Sequence, residues 1–117
     1  MRCNFFAHRG LVTSAIQENS IEALENAINN NFKAVEFDIW YLKGELILSH
    51  DQPKKDRKNL NKLDQYFKKY GNKIEYWMDF KNLSKINCDE AIKAVKSIVD
   101  QLKINQDNLY FAPFITD

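Results

Sequence analysis

Residues 34–51, AVEFDIWYLKGELILSHD, hold two apolar runs on either side of a glycine turn. The runs, Ala34 to Leu42 and Glu45 to Ser49, are rich in Val, Ile, Phe, Trp and Tyr, and Lys43-Gly44 between them signals a β-hairpin. Glu36 and Asp38 stand two apart on the first strand. Side chains on a strand alternate with period two, so both carboxylates face the same side. Two like charges on one strand face repel unless something positive lies between them, and a divalent cation is the natural partner. The alternation also fits a plainer arrangement, in which Val35, Phe37 and Ile39 turn inward and the two acids face solvent. The second strand ends at His50 and Asp51.

Working outward, CNFFA at Cys3 to Ala7 reads as a short buried strand running into His8-Arg9-Gly10. A helix is predicted to start near Asn19, which forms a capping-box pattern with Glu22, and Ile21, Leu24, Ala27 and Ile28 give it one apolar stripe. Asn19 is therefore expected to cap the helix rather than to serve the chemistry. Asn29-Asn30-Asn31 ends it. Past the hairpin and a polar segment from Gln52 to Asn59, a second helix is expected from Leu60 to Tyr70, closed by Gly71. Ile74 to Phe80 is the next strand. Asn87 with Glu90 marks a third helix, with Ile92, Val95, Val99 and Leu102 as its apolar positions, and Leu109 to Phe114 is the last strand, with Pro113 suited to an edge. Strands alternating with helices predict a parallel α/β sheet with helical crossovers, carrying four parallel strands and one hairpin strand.

A chain of 117 residues fits one domain, residues 1–117. Its 17 basic and 16 acidic residues nearly cancel, so bulk charge makes no case for nucleic acid, and none is expected as a partner. The stretch from Asp51 to Lys73 is locally basic, eight residues against three acidic, and reads as a solvated face. No apolar run approaches the ~18 residues of a membrane span. A strand so close to Met1 leaves no room for a signal peptide, so a cytoplasmic protein is expected, with Cys3 and Cys88 as reduced thiols. Trp40, Tyr41, Tyr76 and Trp77 are expected to be core or barrel-packing aromatics rather than a substrate platform.

In parallel α/β sheets ligands gather beyond the carboxyl ends of the strands. His8 and Arg9 fall at that end of the first strand, Glu36 and Asp38 on the second, Asp79 and Lys81 on the third, and His50 returns there after the hairpin. Three carboxylates make a hard site for Mg²⁺ or Ca²⁺. Arg9 and Lys81 can hold phosphate oxygens, and two histidines can serve as general base and general acid. Asp79 and Lys81 also fit a simple ion pair, and Glu18 is placed to support Arg9 or its loop. The combination suits metal-assisted chemistry at phosphorus.

AHRG at Ala7 to Gly10, ENS at Glu18 to Ser20, VEFDI at Val35 to Ile39, GELILSHD at Gly44 to Asp51 and WMDFK at Trp77 to Lys81 resemble, in order and spacing, the N-terminal half of the glycerophosphodiester phosphodiesterase family. The resemblance implies a (β/α)₈ TIM-type barrel, of which this chain holds about the first half. It also implies hydrolysis of glycerophosphodiesters to an alcohol and glycerol phosphate in lipid metabolism, with a cyclic phosphate forming first. By the same resemblance Glu36, Asp38 and Asp79 bind the cation, His8 and His50 are the acid–base pair, and Arg9 and Lys81 contact phosphate. Most of the family carries Glu where this chain has Asp79, although the related sphingomyelinase D enzymes use Asp. A barrel of this type takes about 250 residues. A half-barrel alone exposes strand edges and an apolar face, so a homodimer is expected if the chain is soluble. The alternative is a truncated half-barrel acting as a non-catalytic binding or self-associating module.

Overall fold

The computed structural model describes residues 6–10, 12–13, 17–54 and 60–116. Its sheet runs in the order β1-β2-β4-β5: β1 is Phe6–His8, β2 Ala34–Leu42, β4 Glu75–Ser84 and β5 Leu109–Thr116, with every neighbouring pair parallel. β3, Glu45–Leu48, pairs antiparallel with the far end of β2. Lys43 and Gly44 adopt φ of 50° and 81°, the pair of left-handed residues that a two-residue hairpin turn requires.

Helices α1 (Ile21–Asn29), α2 (Leu63–Tyr70) and α3 (Cys88–Leu102) cross between strands and cover one face of the sheet. They bury Ala23, Leu24, Ala27, Leu63, Tyr66, Phe67, Ala91, Val95 and Val99 against Val35, Phe37, Ile39, Tyr76, Met78 and Phe80 of the central strands. Phe37 meets Tyr66 edge-on at 5.1 Å between ring centres, and Phe67 meets Tyr76 the same way at 4.8 Å. Each buried phenol finds a carbonyl: Tyr66 Oη donates to Ser20 O at 2.8 Å and Tyr76 Oη to Gly71 O at 2.8 Å. Strand alternation then sends Glu36, Asp38, Trp77, Asp79 and Lys81 to the opposite face, which no helix among the described residues covers.

Several expectations are corrected. The cap of α1 is Ser20, whose hydroxyl accepts from Ala23 N, and Asn19 is not a cap. α2 begins at Leu63 rather than Leu60, because Lys62 is still extended and bridges to Ile47 of β3. The buried stripe of α3 runs through Ala91, Val95 and Val99 at i, i+4 and i+8, which turns Ile92 outward at 49% exposure. Asn87 stands at the start of α3 without capping it; its Oδ1 accepts instead from Ser84 N. Trp77 is 36% exposed and stacks on Tyr110 at 5.9 Å, so it lies on the open face and not in the core. Cys88 is a free thiol, while Cys3 and the first residues of the expected CNFFA strand lie outside the described residues.

Beyond Ile39 and Phe80 the β2–β4 pairing stops, and one side chain takes over. Asn82 accepts from Tyr41 N at 2.9 Å and donates to Tyr41 O at 2.8 Å, which fixes the end of β4 next to Lys81.

Candidate active site

The β1–α1 turn is the first component. Arg9 and Gly10 have φ of 56° and 81°, so the chain reverses immediately after His8. Gly10 lies so close to α1 that a Cβ there would come within 2.6 Å of Ala23 Cβ. Only glycine permits that approach, and it holds Arg9 over the carboxyl end of β2. The second component is the register between β2 and β4, which sets Asp38 directly beside Asp79 and Glu36 beside Trp77.

Together these bring Glu36, Asp38 and Asp79 to one place. One carboxylate oxygen from each lies within 4.8 Å of the other two. His8 Nε2 is 3.2 Å from Glu36 Oε2, and Arg9 Nε is 2.9 Å from Asp38 Oδ2. Lys81 Nζ sits between the two aspartates, 3.0 Å from Asp79 Oδ2 and 3.3 Å from Asp38 Oδ1. The ion pair between Asp79 and Lys81 therefore forms, but as part of the larger cluster. Glu18 supports Arg9, its Oε2 accepting from NH1 at 2.9 Å.

Charge at the cradle is unevenly compensated. Burial, reinforced by the charges of Asp38 and Asp79, pushes the Glu36 carboxyl up to about 7 against the opposing pull of Arg9 and Lys81. For Lys81, burial disfavours the ammonium, but the hydrogen bond it donates to Asp79 and the charges of Asp38 and Asp79 outweigh it, so its pKa is raised. Glu36 Oε1 is buried without a hydrogen-bond partner, and Asp38 Oδ1 faces Lys81 without hydrogen-bond geometry. Buried carboxylate oxygens without donors, three carboxylates on one spot and no thiol or amide among them fit a hard divalent cation.

Asn19 is the residue whose part sequence reasoning missed. It is 4% exposed, has φ of 56°, and spends its side chain on Asp38: Oδ1 accepts from Asp38 N at 3.0 Å and Nδ2 donates to Asp38 Oδ2 at 3.1 Å. A signal was present, because Ser20 is as good a cap as Asn19 and moving the cap by one position frees the amide.

His50 stands apart from the other site residues. Its Nδ1 is 3.1 Å from Asp51 Oδ1, and it lines a cavity of about 430 Å³ whose walls include Glu18, Asn19, Ser49, Leu60 and Asn61. Through Glu18 and Asn19 that cavity shares a wall with the cradle. Among the described residues, then, six of the seven expected site residues meet in one cluster, and the seventh borders the adjoining cavity.

The family model "Glycerophosphoryl diester phosphodiesterase family" matches residues 8–106. No curated protein sequence matches the chain. Among solved structures, the chain is similar to a glycerophosphodiester phosphodiesterase from Thermotoga maritima, with a TM-score of 0.69 and 23% identity over 93% of this chain and 53% of that one. A glycerophosphodiester phosphodiesterase from Parabacteroides distasonis gives 0.72 and 24% over 93% and 55%. An Oleispira antarctica phosphodiesterase, solved in complex with the product sn-glycerol-3-phosphate, gives 0.77 and 19% over 96% and 57%. At these identities the likeness carries the fold alone. The chain spans about half the length of each, so the expected class, about half of a TIM-type (β/α)₈ barrel, is the one found.

Proposed function

The chain belongs to the glycerophosphoryl diester phosphodiesterase family, and from that premise we propose that it hydrolyses a glycerophosphodiester to an alcohol and glycerol phosphate. The observation that carries this reading is the cradle itself: three carboxylates within 4.8 Å, with Arg9 and Lys81 against Asp38 and His8 against Glu36. Glu36, Asp38 and Asp79 hold a divalent cation, Mg²⁺ or Ca²⁺. When bound, the cation supplies Lewis-acid polarisation of a phosphoryl oxygen and offsets negative charge as it builds up.

The chain's own residues do the rest. Arg9 and Lys81 leave their carboxylates in part and hold non-bridging phosphate oxygens, lowering the charge on phosphorus as the nucleophile approaches. His8 donates through Nε2 to Glu36, which leaves Nδ1 to take a proton from the attacking hydroxyl. That hydroxyl is the one next to the phosphoester on the glycerol moiety, so a cyclic phosphate forms first and water then opens it. His50 donates through Nδ1 to Asp51, which leaves Nε2 to protonate the departing alcohol from the side of the cavity. The product complex of the Oleispira antarctica neighbour supports a small-molecule substrate of this kind. The setting that follows is lipid or glycerophosphate metabolism in the cytoplasm. No described helix is long and apolar enough to cross a membrane.

The test is release of glycerol phosphate from glycerophosphodiesters, followed by ³¹P NMR with and without a chelator. Turnover that stops on chelation and returns with Mg²⁺ or Ca²⁺ is expected, as is its loss in His8→Ala and His50→Ala. Folded, cation-loaded protein that releases nothing from any diester overturns the activity. A second reading is favoured by the half-length coverage and by Trp77 and Phe111, exposed at 36% and 50% on the sheet. In it the half-barrel is a self-associating module, and two copies cover each other as a homodimer. Sedimentation velocity separates the readings: a dimer without turnover supports the module, and a monomer with turnover removes it.

A further inference from the structure

We infer that Asn19 is a positioning residue that leaves Asp38 a single oxygen with which to bind a cation, and so biases the site toward Mg²⁺ over Ca²⁺. The inference rests on the cation reading of the cradle given above. Asp38 is 1% exposed, so every lone pair of its carboxylate is answered by protein or by a ligand. Oδ2 accepts a hydrogen bond from Asn19 Nδ2 at 3.1 Å, and Arg9 Nε lies 2.9 Å from the same oxygen as an ion pair without hydrogen-bond geometry. Oδ1 has only Lys81 Nζ near it, at 3.3 Å and without hydrogen-bond geometry. With Oδ2 held by the Asn19 amide and paired with the Arg9 charge, Asp38 offers Oδ1 alone.

The same amide fixes where that oxygen points. Asn19 Oδ1 accepts from Asp38 N at 3.0 Å, so backbone and carboxylate of one residue are clamped by one side chain. Asn19 N in turn donates to Arg9 O at 2.9 Å, which ties the clamp to the turn that carries the Arg9 charge. A carboxylate limited to one oxygen suits the compact octahedral shell of Mg²⁺. Ca²⁺ takes larger and more flexible shells in which carboxylates often bind through both oxygens. Removing the amide releases Oδ2 and lets Asp38 swing toward two-oxygen binding.

Asn19→Gly is the informative variant. The residue's φ is 56°, a conformation glycine adopts without strain, so the substitution deletes the amide and spares the backbone. Calorimetric titration of the parent and the variant with MgCl₂ and with CaCl₂ gives four affinities, and urea unfolding of the cation-free proteins runs alongside. Orienting partners of metal ligands typically contribute ~10–100-fold in affinity. The expected result is a loss of Mg²⁺ affinity of about ten-fold or more with a smaller loss for Ca²⁺, so that the Ca²⁺:Mg²⁺ preference rises. Val95→Ala, in the buried stripe of α3 and away from the cradle, serves as a control for lost stability and is expected to leave both affinities unchanged. An unchanged Ca²⁺:Mg²⁺ ratio, or Mg²⁺ affinity equal to the parent's, overturns the role of Asn19 while the cradle reading stands. A parent protein that binds neither ion overturns the cradle reading and this inference with it.

Discussion

Replacing Gly10 by alanine tests the device that holds the β1–α1 turn against the helix. Gly10 and Gly44 share φ of 81°, so the same substitution carries the same backbone penalty at both, about 1–2 kcal/mol for a left-handed alanine. Loss of glycine's freedom in the unfolded chain offsets roughly 0.4–1 kcal/mol of that. At Gly44 nothing lies within 4 Å of the new Cβ, so the net cost is about 1 kcal/mol. At Gly10 the methyl meets Ala23 Cβ at 2.6 Å, Ala23 C at 2.8 Å and Ala23 O at 2.9 Å. Two of those atoms are helix backbone that cannot rotate away, and overpacking of this kind adds ~1–3 kcal/mol. Gly10→Ala is therefore expected to unfold about 2 kcal/mol more easily than Gly44→Ala, a separation of roughly 1 M in urea midpoint. Equilibrium urea unfolding followed by the fluorescence of Trp40 and Trp77 measures both variants on one scale. Equal midpoints for the two would show that the turn does not press on α1, and the account of how Arg9 reaches Asp38 would fail with it.

Three further outcomes follow from the cradle and its support. Glu36, raised from 4.5 to about 7, carries one proton more in the cation-free folded state than in the unfolded chain between those values, so stability should fall as pH rises from about 4.5 to 7. Thermal unfolding across that range should show the decline in the parent and a flatter profile in Glu36→Gln, and cation binding near pH 6 should release a proton into the buffer. Lys81→Met removes the ammonium that competes for Asp38 and Asp79, so titration should show tighter cation binding while turnover falls; weaker binding would contradict the competition. Tyr66→Phe strips the hydrogen bond from the buried carbonyl of Ser20 and should cost about 1–2 kcal/mol in urea unfolding, without a change in cation affinity.

The fold was legible where local pattern and tertiary context agree. The hairpin was legible, to the residue at its turn and one residue too long at Ser49, because Lys43-Gly44 suits one turn type and the flanking β-branched and aromatic runs admit no helix. The shared face of Glu36 and Asp38 was equally legible, since alternation holds for any strand. Val35, Phe37 and Ile39 turn inward as both readings had it, but the acids do not face solvent as the plainer one required: Asp38 is buried and Glu36 largely so. What alternation cannot say is that β4 brings Asp79 into register beside Asp38, because strand order is a property of the whole sheet. The errors at Asn19 and Asn87 share one cause. Asparagine offers a donor and an acceptor to any backbone nearby, so a sequence rule assigns it to the adjacent helix end, whereas here the partners lie on other elements: Asp38 for Asn19 and Ser84 for Asn87.

The charges around the cradle explain why a cation-free site is poised rather than settled. Glu18, Glu36, Asp38 and Asp79 bring four negative charges when ionised, and Arg9 and Lys81 bring two positive ones, leaving two negative charges in excess. Burial first, and then the charges of Asp38 and Asp79, raise the Glu36 carboxyl, so protonation there is the cheapest way to reduce the excess. A divalent cation would cancel those two charges and so remove the repulsion that a phosphodiester monoanion would otherwise meet. On this view Lys81 bridges Asp38 and Asp79 only while the cation is absent, and its release toward phosphate is coupled to cation binding. An ordered sequence follows, cation before diester, and inorganic phosphate should bind the cation-free protein far more weakly than the loaded one.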